Sequence, residues 1–421
     1  MKILFLSISP IAHVDGHSIS LDLLHELQGK GHDIYIVAGL SKQDDRDTFL
    51  TEEAGCKILR VKIGGNKKAN LITKGITTVM LPKRYVRAVK KYYADVRFDL
   101  VLYPTPPITH CDTVKFIKKR DGAKSYLLLK DIFPQNAVDI GMMKKGGVTG
   151  FLYKHFRKKE KKLYAISDRI GCMSQANVDY VLKHNPEVDP SKVEICPNSI
   201  EVQDMSITPE ERVAIREKYG IPQDKKVFVY GGNLGRPQGI PFLMDCLKNQ
   251  ADNADAYFLI VGDGTEYNKL EKFFLENPAE NRKLLKKLPK EDYDKMVAAC
   301  DVGMIFLDHR FTIPNFPSRL LSYMQAKIPV LACTDPNTDV GRVITEGGFG
   351  WWCESNSTEA FTDCVNQALS ANLPQMGEIG FDYLTENYTA KKENISILII
   401  ADSHISLRKM DVVILAMIII V

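Results

Sequence analysis

The sequence predicts an α/β protein made of two doubly wound domains, each a parallel sheet covered by helices. Apolar β-branched segments alternate with helical patterns almost throughout the chain, which is typical of parallel strands joined by helices. The 421 residues also exceed the size at which a single hydrophobic core usually keeps growing. A polar stretch at 200–226 divides the alternation into two runs. We therefore expect two domains with a cleft between them.

The first run gives a domain at residues 1–199. It opens with the strand ILFLSI and the helix pattern SISLDLLHELQGKGH. The strand candidates DIYIVAG, LVLYPTPP, SYLLLKDIF, RIGCMS and VEICPNS follow, with basic segments and the helix ANVDYVLKHN between them. Ligands are expected at the carboxyl ends of such strands.

Residues 200–225 form a polar linker with one short helix pattern, and the second domain is expected at 226–380. Its strand candidates are VFVYGG, AYFLIVGDG, VGMIFL and IPVLAC. Its helix patterns include IPFLMDCLKN, KEDYDKMVAA, RLLSYMQAK and TEAFTDCVNQAL. Residues 381–421 form a tail of uncertain structure, whose last ten residues, VVILAMIIIV, are apolar.

Composition narrows the class of protein. The 45% hydrophobic and 26% charged fractions are those of a globular protein. Nine scattered cysteines without a CxxC pair argue for reduced thiols and against a zinc site or disulfide framework. No signal peptide is recognisable, and no segment reaches the roughly 20 apolar residues that span a bilayer. We expect a cytoplasmic protein.

The charge is unevenly distributed. Between residues 65 and 165 there are 23 Lys and Arg against 7 Asp and Glu, so this part carries +16 and the remainder −12 of the net +4. Residues 81–93 and 153–164 mix these cations with aromatic and aliphatic residues at helical spacing. They are either solvated helix faces or a surface for anionic phospholipid or a pyrophosphate-bearing acceptor. Nucleic acid is not expected, because no recognised binding motif accompanies the charge.

Two glycine-rich turns follow buried strands of the second domain. VFVYGGNLGRPQGI places Gly231, Gly232 and Gly235 before a helix, with Arg236 among them. AYFLIVGDG ends in Gly262, Asp263 and Gly264. Glycines let an anion approach the backbone, and a helix N-terminus presents free N–H groups. Either turn alone is equally typical of a plain strand-to-helix connection.

The combination is more specific. GGNLGR, FLIVGDG, LPKEDYDKMVAACDVGMIFL and FPSRLLSYMQAKIPVLA, in this order, resemble the donor domain of family 4 retaining glycosyltransferases. That family has the GT-B fold, in which two Rossmann-like domains face a central cleft. The first half, with YPTPPITH and YLLLKDIFPQNAVDIG, resembles the bacterial WbuB-like subgroup that builds capsule and O-antigen units.

The resemblance implies a nucleotide-sugar, commonly a UDP-sugar, bound by the second domain, with transfer that retains the anomeric configuration and needs no metal. By position in the motifs, it implies the donor-binding residues Gly231, Gly232, Asn233, Arg236, Gln238, Gly262, Asp263, Asn315, Phe316, Arg319, Leu320 and Ser322. Arg319 is expected to face the diphosphate. The two glutamates usual in the family are replaced here by Pro314 and Ser322.

In the first domain the resemblance implies an acceptor site. Asp131 matches the position expected to orient or deprotonate the acceptor hydroxyl, and it could equally be a helix cap. Lys130, Gly16 and His17 are the other acceptor-binding candidates, and Asp15 and His110 have weaker claims.

The leading hypothesis is therefore an enzyme that moves a sugar, possibly an N-acetylated amino sugar, to a lipid-linked or polysaccharide precursor. The setting would be capsule, O-antigen or exopolysaccharide synthesis, peripherally on the inner face of the cell membrane. Two alternatives stay open at this point. One is a non-catalytic nucleotide-sugar-binding scaffold subunit, and the other, which lacks the carboxylates and histidines it would need, is a UDP-sugar 2-epimerase.

Overall fold

A computed structural model describes residues 1–40, 44–63 and 71–392. They divide into two compact units. The first contains Met1–Pro134, Lys144–Glu201 and residues 390–392, and the second contains Gln135–Met143 and Val202–Thr389. Most of the predicted tail, residues 393–421, lies outside the described residues.

The first unit is built on a sheet of eight described strands in the order β3-β4-β2-β1-β5-β6-β7-β8. Its neighbours run parallel except for β3 and β4, which form an antiparallel hairpin at one edge. The prediction of a doubly wound sheet is confirmed here, whereas this hairpin was not predicted. The strands are β1 (Lys2–Leu6), β2 (Asp33–Gly39), β3 (Phe49–Glu53), β4 (Cys56–Val61), β5 (Leu100–Pro104), β6 (Lys124–Leu129), β7 (Arg169–Cys172) and β8 (Val193–Ile195).

Five described helices cover this sheet: α1 (Ile19–Gly29), α2 (Leu71–Tyr92), α3 (Cys111–Asp121), α5 (Gly147–Ile166) and α6 (Gln175–His184). The short α4 (Gln135–Asp139) belongs to the second unit. Three of the five lie side by side, because α3 packs against both α2 and α5. The two basic segments predicted to be helical, 81–93 and 153–164, fall on α2 and α5.

The second unit is built on a parallel sheet of six described strands in the order β11-β10-β9-β12-β13-β14. The central strands match the prediction, and the edge strands β11 and β14 were not predicted. The strands are β9 (Lys226–Asn233), β10 (Ala256–Asp263), β11 (Arg282–Lys286), β12 (Val302–Phe306), β13 (Val330–Thr334) and β14 (Gly350–Glu354). The helices are α7 (Pro209–Tyr219), α8 (Ile240–Asn249), α9 (Tyr267–Glu276), α10 (Lys290–Ala298), α11 (Arg319–Gln325), α12 (Val340–Glu346), α13 (Thr358–Ser370) and α14 (Leu373–Asn387).

Helix α7 is the helix expected in the linker, and it is part of the second unit. Its start is fixed by a capping box, in which the Thr208 hydroxyl and the Glu211 carboxylate each accept a backbone N–H of the other residue. Its end is fixed by Gly220 in the left-handed region at φ 62°. The helix then packs on α10 of the same unit.

All nine cysteines lie in the described part of the chain, and none forms a disulfide. Eight are buried, and Cys111 in the first turn of α3 is partly exposed. Among the described helices, none combines the length and apolar character needed to span a membrane.

Candidate functional site

The two predicted glycine turns lie side by side at one edge of the second unit. Strands β9 and β10 are parallel neighbours, and their register pairs Gly232 with Gly262 and Asn233 with Asp263. Strand β9 has β10 on one side and β12 on the other, so the strand order reverses beside it. Ligands of open α/β sheets bind at the carboxyl ends of strands at such a point.

The glycines have packing reasons that the sequence did not reveal. A Cβ atom on Gly262 would lie 2.0 Å from the carbonyl oxygen of Gly232, and one on Gly231 would lie 1.8 Å from the hydroxyl of Tyr293. Gly232 itself has φ +112°, a conformation that favours glycine, and its Cβ position faces Arg319 Nη2 at 3.8 Å. The packing and the backbone conformation therefore favour glycine at these three positions, whether or not a ligand binds there.

Arg319 stands at the start of α11 and reaches back to β9. Its guanidinium carbon lies 4.4 Å from the ring centroid of Tyr230. Its Nη2 donates to Gln238 Oε1 at 2.9 Å. Its Nη1 is buried and has no hydrogen-bond partner among the described residues. Because a buried charged donor without a partner is costly, this atom indicates a place for an anion.

The other predicted cation of this turn is placed differently. Arg236 is 55% exposed, and its Nε lies 3.6 Å from the carboxylate of Glu266. Glu266 is itself buried and also pairs with Lys269. Arg236 is therefore held in a surface ion network, and its contact with a donor stays a prediction.

The turn before α11 packs largely inward. Phe316 is buried with its ring 5.9 Å from that of Tyr388, and Leu320 is fully buried. The backbone carbonyl of Asn315 accepts from the Thr338 hydroxyl, and Asn315 Nδ2 is buried without a partner in the described ranges. Pro314 is buried and Ser322 partly buried, so neither adds a charge. A direct contact between these residues and a donor stays a prediction.

A carboxylate that the motifs did not assign lies at the end of β13. Asp335 is fully buried, and its Oδ1 accepts the backbone N–H groups of Asn337 at 2.9 Å and Thr338 at 3.2 Å. Its Oδ2 is buried with no partner among the described atoms. Burial raises the pKa of Asp335 to about 6. Asp335 follows directly on a predicted buried strand, and that position was the available signal.

In the first unit, His17 lies at a cluster of acidic groups. Its Nδ1 is 3.3 Å from Asp22 Oδ1 and 3.6 Å from Glu201 Oε2. Asp22 is 3% exposed and also accepts the backbone N–H groups of Ser18 and Glu201. Within the described ranges, ligand atoms of His17, Asp22 and Glu201 lie within 4.8 Å of one another. Neighbouring Gly16 has no atom closer than 4.0 Å to its Cβ position.

Lys130 and Asp131 follow β6, where Thr105 at the end of β5 holds them. The Thr105 hydroxyl accepts the backbone N–H of both residues and donates to the carbonyl of Asp131. The ammonium of Lys130 donates to the carbonyls of Cys196 and Pro197 at 3.3 and 3.1 Å.

His110 is buried at the start of α3, where it stacks on Tyr85 with ring centroids 5.9 Å apart. Burial lowers the pKa of His110 to about 4, so its imidazole is neutral at pH 7. Asp15 is exposed.

Comparison with known protein families finds a match that lies within the second unit. Residues 211–379 match the family described as "Glycosyl transferases group 1". The chain is similar to the probable glycosyltransferase WbjE of Pseudomonas aeruginosa, at 26% identity over 78% of this chain and 80% of that protein. It is also similar to the UDP-Gal:alpha-D-GlcNAc-diphosphoundecaprenol alpha-1,3-galactosyltransferase of Escherichia coli, at 21% identity over 52% and 58%.

Solved structures share the fold at low sequence identity. Sucrose-phosphate synthase of Thermosynechococcus elongatus superimposes with a TM-score of 0.75 at 13% identity, covering 96% of this chain and 99% of that one. Anabaena HepE in complex with UDP-glucose superimposes with a TM-score of 0.67 at 14% identity, covering 96% and 100%. The chain thus has the two-domain GT-B fold, and its residues 211–379 match a group 1 glycosyltransferase domain.

Proposed function

We propose that the protein transfers a glycosyl group from a UDP-sugar to a lipid-linked saccharide precursor of a bacterial surface polysaccharide, with retention of the anomeric configuration. The observation that carries this proposal is the buried Nη1 of Arg319, which has no partner among the described residues, beside the paired glycines Gly232 and Gly262. The name of the E. coli relative, with a UDP-Gal donor and a diphosphoundecaprenol acceptor, supports the choice of both substrates.

The proposed chemistry follows from the charges. When the bond between the anomeric carbon and UDP breaks, negative charge develops on the diphosphate, and the acceptor oxygen forms the new bond. Arg319 stabilises that charge with its fixed fork of donors, together with backbone N–H groups at the glycine turn. Asp131 is the candidate to accept the hydroxyl proton of the acceptor. Transfer by this arrangement needs no metal.

The test begins with UDP affinity measured by calorimetry. Arg319→Ala is expected to weaken UDP binding by about 1–3 kcal/mol, the scale of a charged hydrogen bond. Arg97→Ala is the control, because that arginine is 58% exposed in the first unit and belongs to no predicted site, and its loss should change UDP affinity by less than about 0.5 kcal/mol. Unchanged affinity in Arg319→Ala would remove this residue from the site.

Turnover separates the enzyme from a binding scaffold. UDP release is measured with a panel of UDP-sugars and bacterial lipid extract, and the product is identified by mass. Asp131→Ala should lose turnover while keeping UDP affinity. If UDP-sugar binds but no extract supports release, the scaffold function is favoured instead.

We further propose that the first unit docks on an anionic membrane surface. Helices α2, α3 and α5 are adjacent, and Lys90 of α2 lies 5.2 Å from the ring of Phe116 on α3. Their exposed cations are Lys83, Arg87, Lys90, Lys91, Lys115, Lys119, Lys154, Lys158, Lys161 and Lys162. At the start of α5, Phe151 is 79% and Leu152 43% exposed. Cations beside exposed apolar side chains suit a lipid headgroup layer.

Vesicle flotation tests this surface. The protein should bind vesicles of phosphatidylglycerol and phosphatidylcholine, and not phosphatidylcholine alone. Phe151→Ser combined with Lys158→Glu should abolish binding, whereas Lys272→Glu, an exposed lysine of the second unit, should not. Equal binding of both variants to the anionic vesicles would contradict the proposal.

A further inference from the structure

Tyr230 lies under the guanidinium of Arg319 and is not among the residues assigned to the donor site above. It is the fifth residue of β9, and its side chain is fully buried. The ring centroid is 4.4 Å from the guanidinium carbon, which is the distance of a cation–π contact. The ring thus covers one face of the cation.

The hydroxyl of Tyr230 extends this contact into a small network. It lies 3.1 Å from the carbonyl oxygen of Asn233 and 3.3 Å from Gln238 Oε1. Gln238 Oε1 also accepts from Arg319 Nη2 at 2.9 Å. The amide oxygen of Gln238 is therefore shared by Tyr230 and Arg319 and is engaged within the protein.

Together these contacts restrict the guanidinium at two points. The ring of Tyr230 lies 4.4 Å from its central carbon, and Gln238 accepts a hydrogen bond from Nη2. Nη1 is left buried without a partner in the described part of the chain. An arginine on a flexible side chain would lose conformational freedom when it bound a ligand, whereas this one is already ordered.

We propose that Tyr230, acting with Gln238, is a positioning residue that holds Arg319 in the orientation needed to bind the diphosphate of the donor. This role rests on the function proposed above. Tyr230 does not touch the ligand, and its contribution to UDP binding passes through Arg319. Gln238, which the motifs assigned to the donor, acts on Arg319 in the same way.

A double-mutant cycle on UDP affinity tests the proposal. Tyr230→Leu removes the aromatic face and should weaken UDP binding about tenfold, which lies between the values for exposed and desolvated cation–π contacts. Tyr230→Phe keeps the face and should stay within about threefold of the wild type. In the Arg319→Ala background, Tyr230→Leu should have no further effect, because the residue through which it acts is gone.

The control is Phe306→Leu. Its ring packs against Tyr230 at 5.9 Å in the same core but does not contact the guanidinium. This variant should lower the melting temperature without any coupling to Arg319. If Tyr230→Leu does not fold, Gln238→Leu replaces it in the cycle with the same expected coupling.

The outcomes are distinct. An equal loss from Tyr230→Leu with and without Arg319 would show a merely structural tyrosine and would overturn the positioning role. An unchanged UDP affinity in Arg319→Ala would overturn the proposed site itself, and this role with it.

Discussion

The guanidinium of Arg216 donates to the carboxylate of Asp301 at 2.6 Å, and both groups are removed from solvent in the second unit. The same carboxylate accepts from Arg212 at 2.6 Å and from the backbone N–H of Val227 at 2.7 Å. Because Val227 belongs to β9, this pair fixes α7 to the strand that carries the glycine turn. A helix expected in a linker is thereby part of the second unit.

Asp301→Ala should destabilise the second unit by about 3–5 kcal/mol, because it leaves the buried cation of Arg216 without a counter-charge. Arg212→Ala, whose side chain is 34% exposed, should cost less than about 1 kcal/mol. Both tryptophans, Trp351 and Trp352, lie on β14, so urea unfolding followed by tryptophan fluorescence reports on this unit. If Asp301→Ala and Arg212→Ala lowered the free energy of unfolding equally, the buried pair of Arg216 and Asp301 would not be the stabilising contact.

Gly262→Ala should disrupt the turn at which β9 and β10 end. Its Cβ would lie 2.0 Å from the carbonyl oxygen of Gly232, so one strand must move. We expect a lower melting temperature together with lost UDP affinity. Gly29→Ala serves as the control, because no atom lies within 4 Å of its Cβ position. Normal UDP affinity in Gly262→Ala would show that UDP binding does not need the close approach of β9 and β10 at this turn.

The raised pKa of Asp335 predicts that the free energy of unfolding changes with pH. Burial raises its pKa to about 6, above the ordinary 3.8, so the folded state binds this proton more tightly than the unfolded state. The contribution to stability is fully present below the ordinary pKa and is lost as pH rises through about 6. Asp335→Asn should therefore stabilise the protein by on the order of 1–3 kcal/mol at pH 8. The gain should shrink at pH 5, and a gain independent of pH would argue against a buried ionised carboxylate.

Chelation tests the proposed metal independence. If Arg319 and backbone donors stabilise the leaving diphosphate, UDP release should be unchanged by excess EDTA. Adding Mg²⁺ or Mn²⁺ afterwards should not raise the rate. A rate that falls with EDTA and recovers with either ion would assign the diphosphate charge to a metal.

The sequence predicted most of the central strands and the edge strand β8, but it missed the edge strands β3, β11 and β14 and the neighbouring β4. The apolar runs VFVY and AYFLIV are buried on both faces, and their pattern identifies them. Strand β11, RKLLK, carries three cations in five residues because it lies at an edge, and its pattern is that of a charged loop. Strand β3, FLTEE, is likewise an edge strand, with only partly buried and exposed residues. Edge strands are specified by their one neighbour, which local patterns do not contain.

Where motifs have a fixed order, the sequence predicted which residues lie near one another, while their contact with a donor stays a prediction. The glycine turns and the arginine of FPSR were identified by sequence alone, and the structure brings Gly232, Gln238 and Arg319 together. Tyr230 was not identified, because a tyrosine inside a buried strand is the common choice for a core. Its contact with Arg319 joins positions 89 residues apart, and only the fold brings them together.

The cysteine distribution gives the protein a single native attachment point for a probe. Eight thiols are enclosed, and Cys111 alone is partly exposed. It lies on α3, in the middle of the basic helices, and burial raises the pKa of its thiol, which slows but does not prevent alkylation at mildly alkaline pH. A fluorophore attached to Cys111 needs no substitution in the protein. Its emission would change when the surface formed by the basic helices binds a membrane.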